Sequence, residues 1–358
     1  MKKKLTFLGI ETSCDETAAS VVQENGDGTA KVLSNIVSSQ IKEHEKFGGV
    51  VPEIAARAHI ENIEFIIQQA LEKSKKNIKD LDGIAATAGP GLIVCLNVGH
   101  NIGKSLSTFS GKPFLSINHL EGHALSPSIE NKISFPYLLL LVSGGHSQYL
   151  IIKDVNNYKQ IGTTIDDAVG EAFDKTAKIL RLGYPGGPQI EKFAKLGNKN
   201  SYNLPEPIIN RAGCNLSLAG LKTAVLRKSK ELSSDKEKYN LAASFQETIN
   251  KILSKKTEVA MKKFREEVSN DSLKPFVVAG GVAANETIRN NLRELSKKMN
   301  FNPLFPSKEF CGDNAAMIAW AGIQRYNKKL FNIKNEIVRS RWPLDDSAPF
   351  LKGSGLKL

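Results

Sequence analysis

His119 and His123, in FLSINHLEGHALSPS (residues 114–128), stand four apart. The segment reads as a strand, a break at Asn118 and a helix start. On a helix that spacing stacks both imidazoles on one face. It is the spacing of a two-histidine metal site, and equally what a helix shows when two histidines fall there by chance. In zinc-peptidase helices a glutamate directly follows the first histidine or directly precedes the second, and polarises a metal-bound water. Here Glu121 sits midway. At about 100° per residue it lies roughly 160° from both histidines, so that chemistry is disfavoured. A metal would need a further anionic ligand. Asp313, in FCGDNAAMIAWAGIQRY, is the best candidate by context. It stands at the entrance of a helix that starts at Asn314 or Ala315, where an ordinary aspartate is an N-cap. Two histidines and one carboxylate leave coordination positions open, as in non-haem iron and catalytic zinc sites. Spacing decides neither the metal nor whether Asp313 joins the pair.

The elements that would position such groups come in two similar sets. LTFLGIETS is an apolar, β-prone run followed by polar CDET and a second strand, AASVVQ. Near residue 140, PYLLLLVSGGHSQYLIIKD repeats strand, short polar turn, strand. Such turns aim backbone N–H groups and hydroxyls at one point, which suits an anion. Two similar halves would face each other across a cleft, with the divide near residues 125–135. In PFVVAGGVAANETIRNNLREL (275–295) a strand meets Gly280-Gly281 and a helix opens around Asn285. Glycines let backbone approach a ligand and a helix N-terminus favours negative charge, but an ordinary strand-to-helix turn looks the same. Dinucleotide and P-loop fingerprints are absent. In DDAVGEAFDKTAKILRLGYPGGPQIEKFAK, Asp167, Glu171 and Asp174 are expected on one helix face, which needs cations or donors opposite unless it is simply solvated. YPGGP is expected to be non-helical, with Gly186 and Gly187 lining a loop. Segments 73–79, 228–238 and 251–263 are lysine-rich and read as exposed helical faces.

The chain has 358 residues, enough for two domains. Its net charge of +12 suits a polyanionic partner such as RNA. Arginine, however, supplies only 10 of the 49 basic residues, and arginine is favoured in specific phosphate and base contacts. Charge alone leaves RNA binding and plain solubility both open. The longest apolar run near the middle, YLLLLV, is too short to span a bilayer, and the start lacks a secretory pattern. Cys14, Cys95, Cys214 and Cys311 form no C-x-x-C pair. The cytosol is the expected compartment.

Taken in order, GIETSCDETAASVV, GGVVPEIAARAHIENI, ATAGPGL, INHLEGHAL, LVSGGHSQ, IDDAVGEAFDKTAK with LGYPGGP, LAGLKTAV, GGVAANETIR and CGDNAAMIAWAG run from residue 9 to 322. Together they resemble the bacterial tRNA N6-adenosine threonylcarbamoyltransferase family, and SRWPLDD (340–346) resembles its bacterial branch. The resemblance implies an α/β fold of the actin-like ATPase (ASKHA) superfold, two duplicated α/β halves around a central cleft. The expected boundaries are 1–130 for the first half, ending in the two-histidine helix, 131–305 for the second, and 306–345 for a C-terminal helix returning to the first. It implies transfer of a threonylcarbamoyl group from threonylcarbamoyl-AMP to the N6 amine of the adenosine beside the anticodon in tRNAs reading ANN codons. The metal ligands it implies are His119, His123 and Asp313, holding one divalent metal, Fe2+ or alternatively Zn2+. The substrate contacts it implies are Leu141, Val142, Ser143, Gly144, Gly145, Asp174, Gly187, Glu191 and Asn285; position 191 is often Asp in the family. NLSLAGLKTA departs from the commoner Phe-Ser-Phe-Ser-Gly form near Ser217. Asp15 is expected nearest the acceptor amine, with Glu16 supporting, because that amine is a poor nucleophile and benefits from a base. The implied partners are tRNA, a shorter inactive paralogue (TsaB-like) and a P-loop ATPase (TsaE-like). A small-molecule kinase of the same superfold and a non-catalytic RNA-binding scaffold are the competing readings.

Overall fold

The computed structural model describes residues 3–268, 272–330 and 337–349. Of the expected C-terminal segment 306–345, residues 331–336 lie outside the described residues, as do residues 1–2 of the expected first half. Among the described residues, one compact unit draws on 3–134, 154–157, 306–330 and 337–346, and a second on 135–153, 158–268, 272–305 and 347–349. No helix of the described residues is long and apolar enough to cross a membrane.

The first unit runs β1 (Thr6–Glu11), β2 (Glu16–Glu24), β3 (Ala30–Ser39), α1 (Ile41–Glu45), α2 (Pro52–Ser74), β4 (Gly83–Gly89), α3 (Ile93–Ser110), β5 (Phe114–Asn118), α4 (His119–Leu125) and α5 (Pro127–Glu130). Its sheet has the order β3-β2-β1-β4-β5. β1 pairs antiparallel with β2 and parallel with β4, and β4 pairs parallel with β5. β1 is buried along its whole length, as a central strand covered on both faces must be.

The second unit runs β6 (Tyr137–Val142), β7 (Ser147–Asp154), β8 (Asn157–Thr163), α6 (Val169–Leu180), α7 (Gly186–Ala194), α8 (Ala219–Ser229), α9 (Asp235–Glu267), β9 (Lys274–Ala279), α10 (Glu286–Lys298) and β10 (Phe301–Leu304). Its sheet order, β10-β9-β6-β7-β8, repeats that of the first unit. β6 is antiparallel to β7 and parallel to β9. The two units are thus copies of one α/β arrangement.

Four local expectations change. Asp167 precedes α6 rather than standing on it. Gly186, Gly187 and Pro188 form the first turn of α7, because proline's missing N–H costs nothing among the unpaired donors of a helix start. Gly186 is required there: a Cβ would lie 2.5 Å from the Asp174 Cα. Residues 75–77 and 230–234 break the lysine-rich helices at their ends. Lys256 is buried, not exposed, its ammonium donating to the carbonyls of Arg211 (2.7 Å) and Gly213 (3.2 Å).

The chain returns to the first unit through α11 (Ala315–Asn327), whose residues Ala315–Ile323 are all buried. Where the helix meets the sheet its residues are small, Ala315, Ala319 and Gly322, because it lies close. Gly9 of β1 sits directly beneath it, and a Cβ there would meet the Ala315 carbonyl oxygen at 2.2 Å and the Ala319 nitrogen at 2.6 Å. Gly322 faces Ala85 of β4 in the same way. Gly9→Ala therefore forces α11 off the sheet. Such overpacking costs about 1–3 kcal/mol or more, and urea denaturation of the variant should show a loss at the upper end of that range; a midpoint equal to wild type would contradict the contact.

Candidate metal centre

Asn118 ends β5 and caps α4: its side-chain oxygen accepts from the Leu120 N–H at 2.9 Å. The helix therefore begins at His119, and one turn later brings His123 alongside, the ring centroids 4.8 Å apart. The opposite wall is the entrance to α11. There Asn314, not Asp313, is the cap, accepting from the Met317 N–H at 3.0 Å. Asp313 is thus released from the capping role that an aspartate in this position ordinarily fills. Its Oδ1 lies 3.1 Å from His123 Nε2 and 3.5 Å from His119 Nε2. One ligand atom from each of the three side chains lies within 4.8 Å of the others. The His123 side chain is fully buried and that of Asp313 is 23% exposed, so the cluster opens at the carboxylate.

Glu11 completes the cluster; it lies in the GIETSCDETAASVV segment, but no spacing singles it out. It ends β1, fully buried, and its Oε2 lies 3.1 Å from His119 Nδ1. Ser13 N–H (2.5 Å) and the Thr87 hydroxyl hold its two oxygens in place. Burial alone would depress the His119 pKa, but the Asp313 and Glu11 carboxylates outweigh it and hold the imidazole well above its ordinary value. Reciprocally, burial would raise both acids, and the His119 charge pulls Glu11 and Asp313 below the usual carboxylate range. His123 Nδ1 is buried without a hydrogen-bond partner.

Asp15 follows on the turn between β1 and β2, and Glu16 opens β2, both in the first unit. The turn is held from beneath by His59 of α2, another residue with no signal in the spacing. His59 Nε2 lies 3.0 Å from the Cys14 carbonyl and Nδ1 2.7 Å from the Thr17 hydroxyl. Burial, with Asp313 and Asp15 adding to it, raises the Glu16 pKa well above the ordinary carboxylate value, and Glu16 shares a hydrogen bond with Asp15. Glu121 faces away: its Oε2 accepts from Arg325 Nε at 2.6 Å, so it is unavailable to the histidine pair.

The remaining expected contacts lie in the second unit, at the C-terminal ends of β6 and β9. Leu141 and Val142 belong to β6, fully buried, so the turn spans Ser143–His146 rather than starting at Leu141. Ser143 closes that turn, donating its N–H to the His146 carbonyl at 2.8 Å. Gly144 and Gly145 face open space. Gly280 abuts the Val142 carbonyl, where a Cβ would come within 2.4 Å. Asp174 accepts from the Gly186 N–H (2.7 Å) and Glu191 from the Glu286 N–H (2.9 Å). Asn285 caps α10 through the Ile288 N–H (3.0 Å) and donates to Gln246 (2.9 Å). Gly187, beside the Asp174–Gly186 contact, has nothing within 4 Å of a would-be Cβ. These contacts tie Asp174, Gly187, Glu191 and Asn285 into one connected rim. Asp167 is neutralised by Lys175 and Lys222, each at 2.9 Å, and Ser217 donates to Asp166 at 2.5 Å.

The family model described as TsaD, tRNA N6-adenosine threonylcarbamoyltransferase, matches residues 31–320. A tRNA N6-adenosine threonylcarbamoyltransferase of Pelagibacter ubique (strain HTCC1062) is 55% identical over 358 residues, covering 100% of both chains. One of Brucella anthropi (strain ATCC 49188) is 48% identical over 353 residues, 98% of each chain. Among solved structures, T. kodakarensis HypF aligns with a TM-score of 0.59 at 15% identity, over 94% of this chain and 49% of that one, a likeness of fold alone. The chain belongs to the tRNA N6-adenosine threonylcarbamoyltransferase family.

Proposed function

We propose that this chain transfers the threonylcarbamoyl group of threonylcarbamoyl-AMP to the N6 amine of the adenosine beside the anticodon in tRNAs reading ANN codons. The observation that carries the reading is the full-length kinship with threonylcarbamoyltransferases, joined to a buried His-His-Asp cluster beside an acidic turn. His119, His123 and Asp313 would hold one divalent metal, Fe2+ or alternatively Zn2+. The donor set fits: two imidazoles and a carboxylate converge, and Glu11 stands behind His119 as the acceptor that orients a metal-bound imidazole. When bound, the ion supplies Lewis acidity toward the donor. Asp15 is assigned as the base for the acceptor amine, with Glu16 as the supporting carboxyl, its pKa raised by burial and by the Asp313 and Asp15 charges. The Ser143–Gly145 turn and the Gly187–Asn285 rim offer backbone N–H groups and a helix N-terminus for the adenylate phosphate and base. Asp174 and Glu191 brace that rim. The setting proposed is the cytosol, with a shorter paralogue of the same fold and a P-loop ATPase as protein partners.

Incubation with threonylcarbamoyl-AMP and unmodified tRNA, followed by nucleoside mass analysis, should yield threonylcarbamoyladenosine, and chelator should suppress it. Turnover of ATP on a small acceptor, with no modified nucleoside, would instead identify a kinase. Asp15→Asn should abolish transfer with donor binding largely retained; unchanged transfer would remove Asp15 from the chemistry.

Glu11→Gln takes away the carboxylate behind His119. Loss of such a partner costs about 10–100-fold in metal affinity, measurable by competition with a chromophoric chelator. In the wild type, metal uptake should release protons and weaken as the pH falls, because His119 must lose its proton to bind.

A further inference from the structure

Residues 337–346 carry a motif, Arg339-Ser340-Arg341-Trp342-Pro343, that neither the metal cluster nor the donor rim uses. They have no regular secondary structure, yet their backbone is pinned to the first unit at three points. Arg339 N–H donates to the Ala88 carbonyl at 2.7 Å, and Gly91 N–H donates to the Ser340 carbonyl at 3.3 Å. The Asn118 amide donates to the Trp342 carbonyl at 3.0 Å. The strap lies so close that a Cβ on Gly89 (φ +146°) would come within 2.0 Å of the Arg339 carbonyl oxygen.

Both edges of this strap lead to the metal centre. Asn118 holds Trp342 with its amide nitrogen while its oxygen caps the helix that begins at His119. The 89–92 loop meets Ser340 on one side, and on the other Leu92 N–H donates to the Ser13 carbonyl at 2.8 Å. The Ser13 hydroxyl in turn lies 3.2 Å from His119 Nδ1.

The strap displays chemistry unusual for this chain. Two of its ten arginines stand two apart here, both exposed, in a sequence that otherwise relies on lysine. The Arg339 guanidinium stacks over the half-buried Trp342 ring, 5.2 Å from its centroid. Arg341 makes no hydrogen bond or ion pair among the described residues. Planar guanidinium groups and an aromatic ring on a fixed backbone are what single-stranded RNA loops are bound with: bases stack on rings and guanidinium planes, and phosphates take the arginine fork. We propose that the strap is an RNA-contact element that grips the nucleotides flanking the acceptor adenosine, with Arg341 on phosphate and the Arg339–Trp342 stack extended by a base. This rests on tRNA being the acceptor.

The test uses the full-length, metal-loaded protein with two independent readouts: equilibrium binding of unmodified tRNA without donor, and steady-state transfer. Trp342→Ala should weaken tRNA binding by about 5- to 150-fold, the range for loss of one stacked base. Arg341→Ala should weaken it about tenfold and lower the salt slope of log K by about 0.7, one single-strand phosphate contact. Arg341→Lys should recover part of the affinity. KM for tRNA should rise in step, while KM for threonylcarbamoyl-AMP and metal content stay at wild-type values. Lys298→Ala, the same charge loss at an exposed lysine of α10, should change nothing. Binding by Arg341→Ala and Trp342→Ala within twofold of wild type would overturn the proposal, as would losses shared equally by donor KM and metal content, which would mark the strap as a brace for α4. If the wild type binds tRNA but forms no modified nucleoside, the function assigned above fails and the binding arm still decides the strap. If it binds no tRNA, both fail.

Discussion

Two carboxylates are drawn together around one imidazole, and the fold is arranged to tolerate it. Glu11 is fully buried and Asp313 partly so, on opposite nitrogens of His119. Buried charge without a partner is costly, and removing one member of such a cluster leaves the others uncompensated. The chain meets the cost with a cation at the centre. The two carboxylates hold the His119 pKa well above its ordinary value, and in the reading proposed above a divalent ion would fill the same role. Each participant arrives from a different element: Glu11 from the end of β1, Thr87 from β4, the histidines from α4 and Asp313 from the entrance of α11. The cluster exists only if α11 docks on β1, which is why the sheet carries glycine at position 9 and the helix places Ala315 and Ala319 over it.

How much of this could be read in advance depended on how local the cause was. The two-histidine helix was legible because i, i+4 spacing and a cap residue act within seven residues. The duplicated sheet was legible because β1 and β6 are short apolar runs followed by the same polar turn, and local pattern fixes strand identity. The pairing of Asp313 with His119 is set by the docking of α11, a contact between residues 190 apart or more that no spacing encodes. That pairing came from kinship with a family, and coordinates were needed to see that Asn314 takes the cap and frees the aspartate. Glu11 and His59 lie inside segments that carry the family resemblance, GIETSCDETAASVV and GGVVPEIAARAHIENI, but no spacing singles either out. A glutamate at a strand end and a histidine inside an amphipathic helix look ordinary until a partner across the sheet is known. Glycine and proline break helix interiors, so YPGGP reads as non-helical, whereas at the first turn of a helix, where Gly186–Pro188 stand, neither breaks anything.

The proposed donor rim of the second unit shows a different economy. Its carboxylates and amide are already engaged: Asp174 with Gly186, Glu191 with Glu286, and Asn285 with Ile288 and Gln246. Side chains here hold backbone in place, and the backbone does the presenting. Close approaches at Gly186 and Gly280 bring the helix starts and strand ends together, and Gly144, Gly145 and Gly187 leave the surface bare of side chains. A glutamate at position 191 fits this division of labour, since its task is to reach the α10 backbone, and a longer arm does so at 2.9 Å.

Duplication explains why the two sites sit at equivalent places and why they differ. In each unit the central strand has an antiparallel neighbour on one side and a parallel one on the other, so its end is where strand direction changes and where open α/β sheets bind ligands. The residues following that strand then decide what is bound. After β1 come a glutamate, hydroxyls and two more acids, a setting that collects positive charge. After β6 come a serine and two glycines, with open space beside Gly144 and Gly145 and no acid among them, a setting suited to negative charge. The same backbone position, repeated once, has been given opposite electrostatic sign. The function proposed above calls for both signs, one for a metal and one for an acyl phosphate, and a duplicated scaffold would supply them without a second fold.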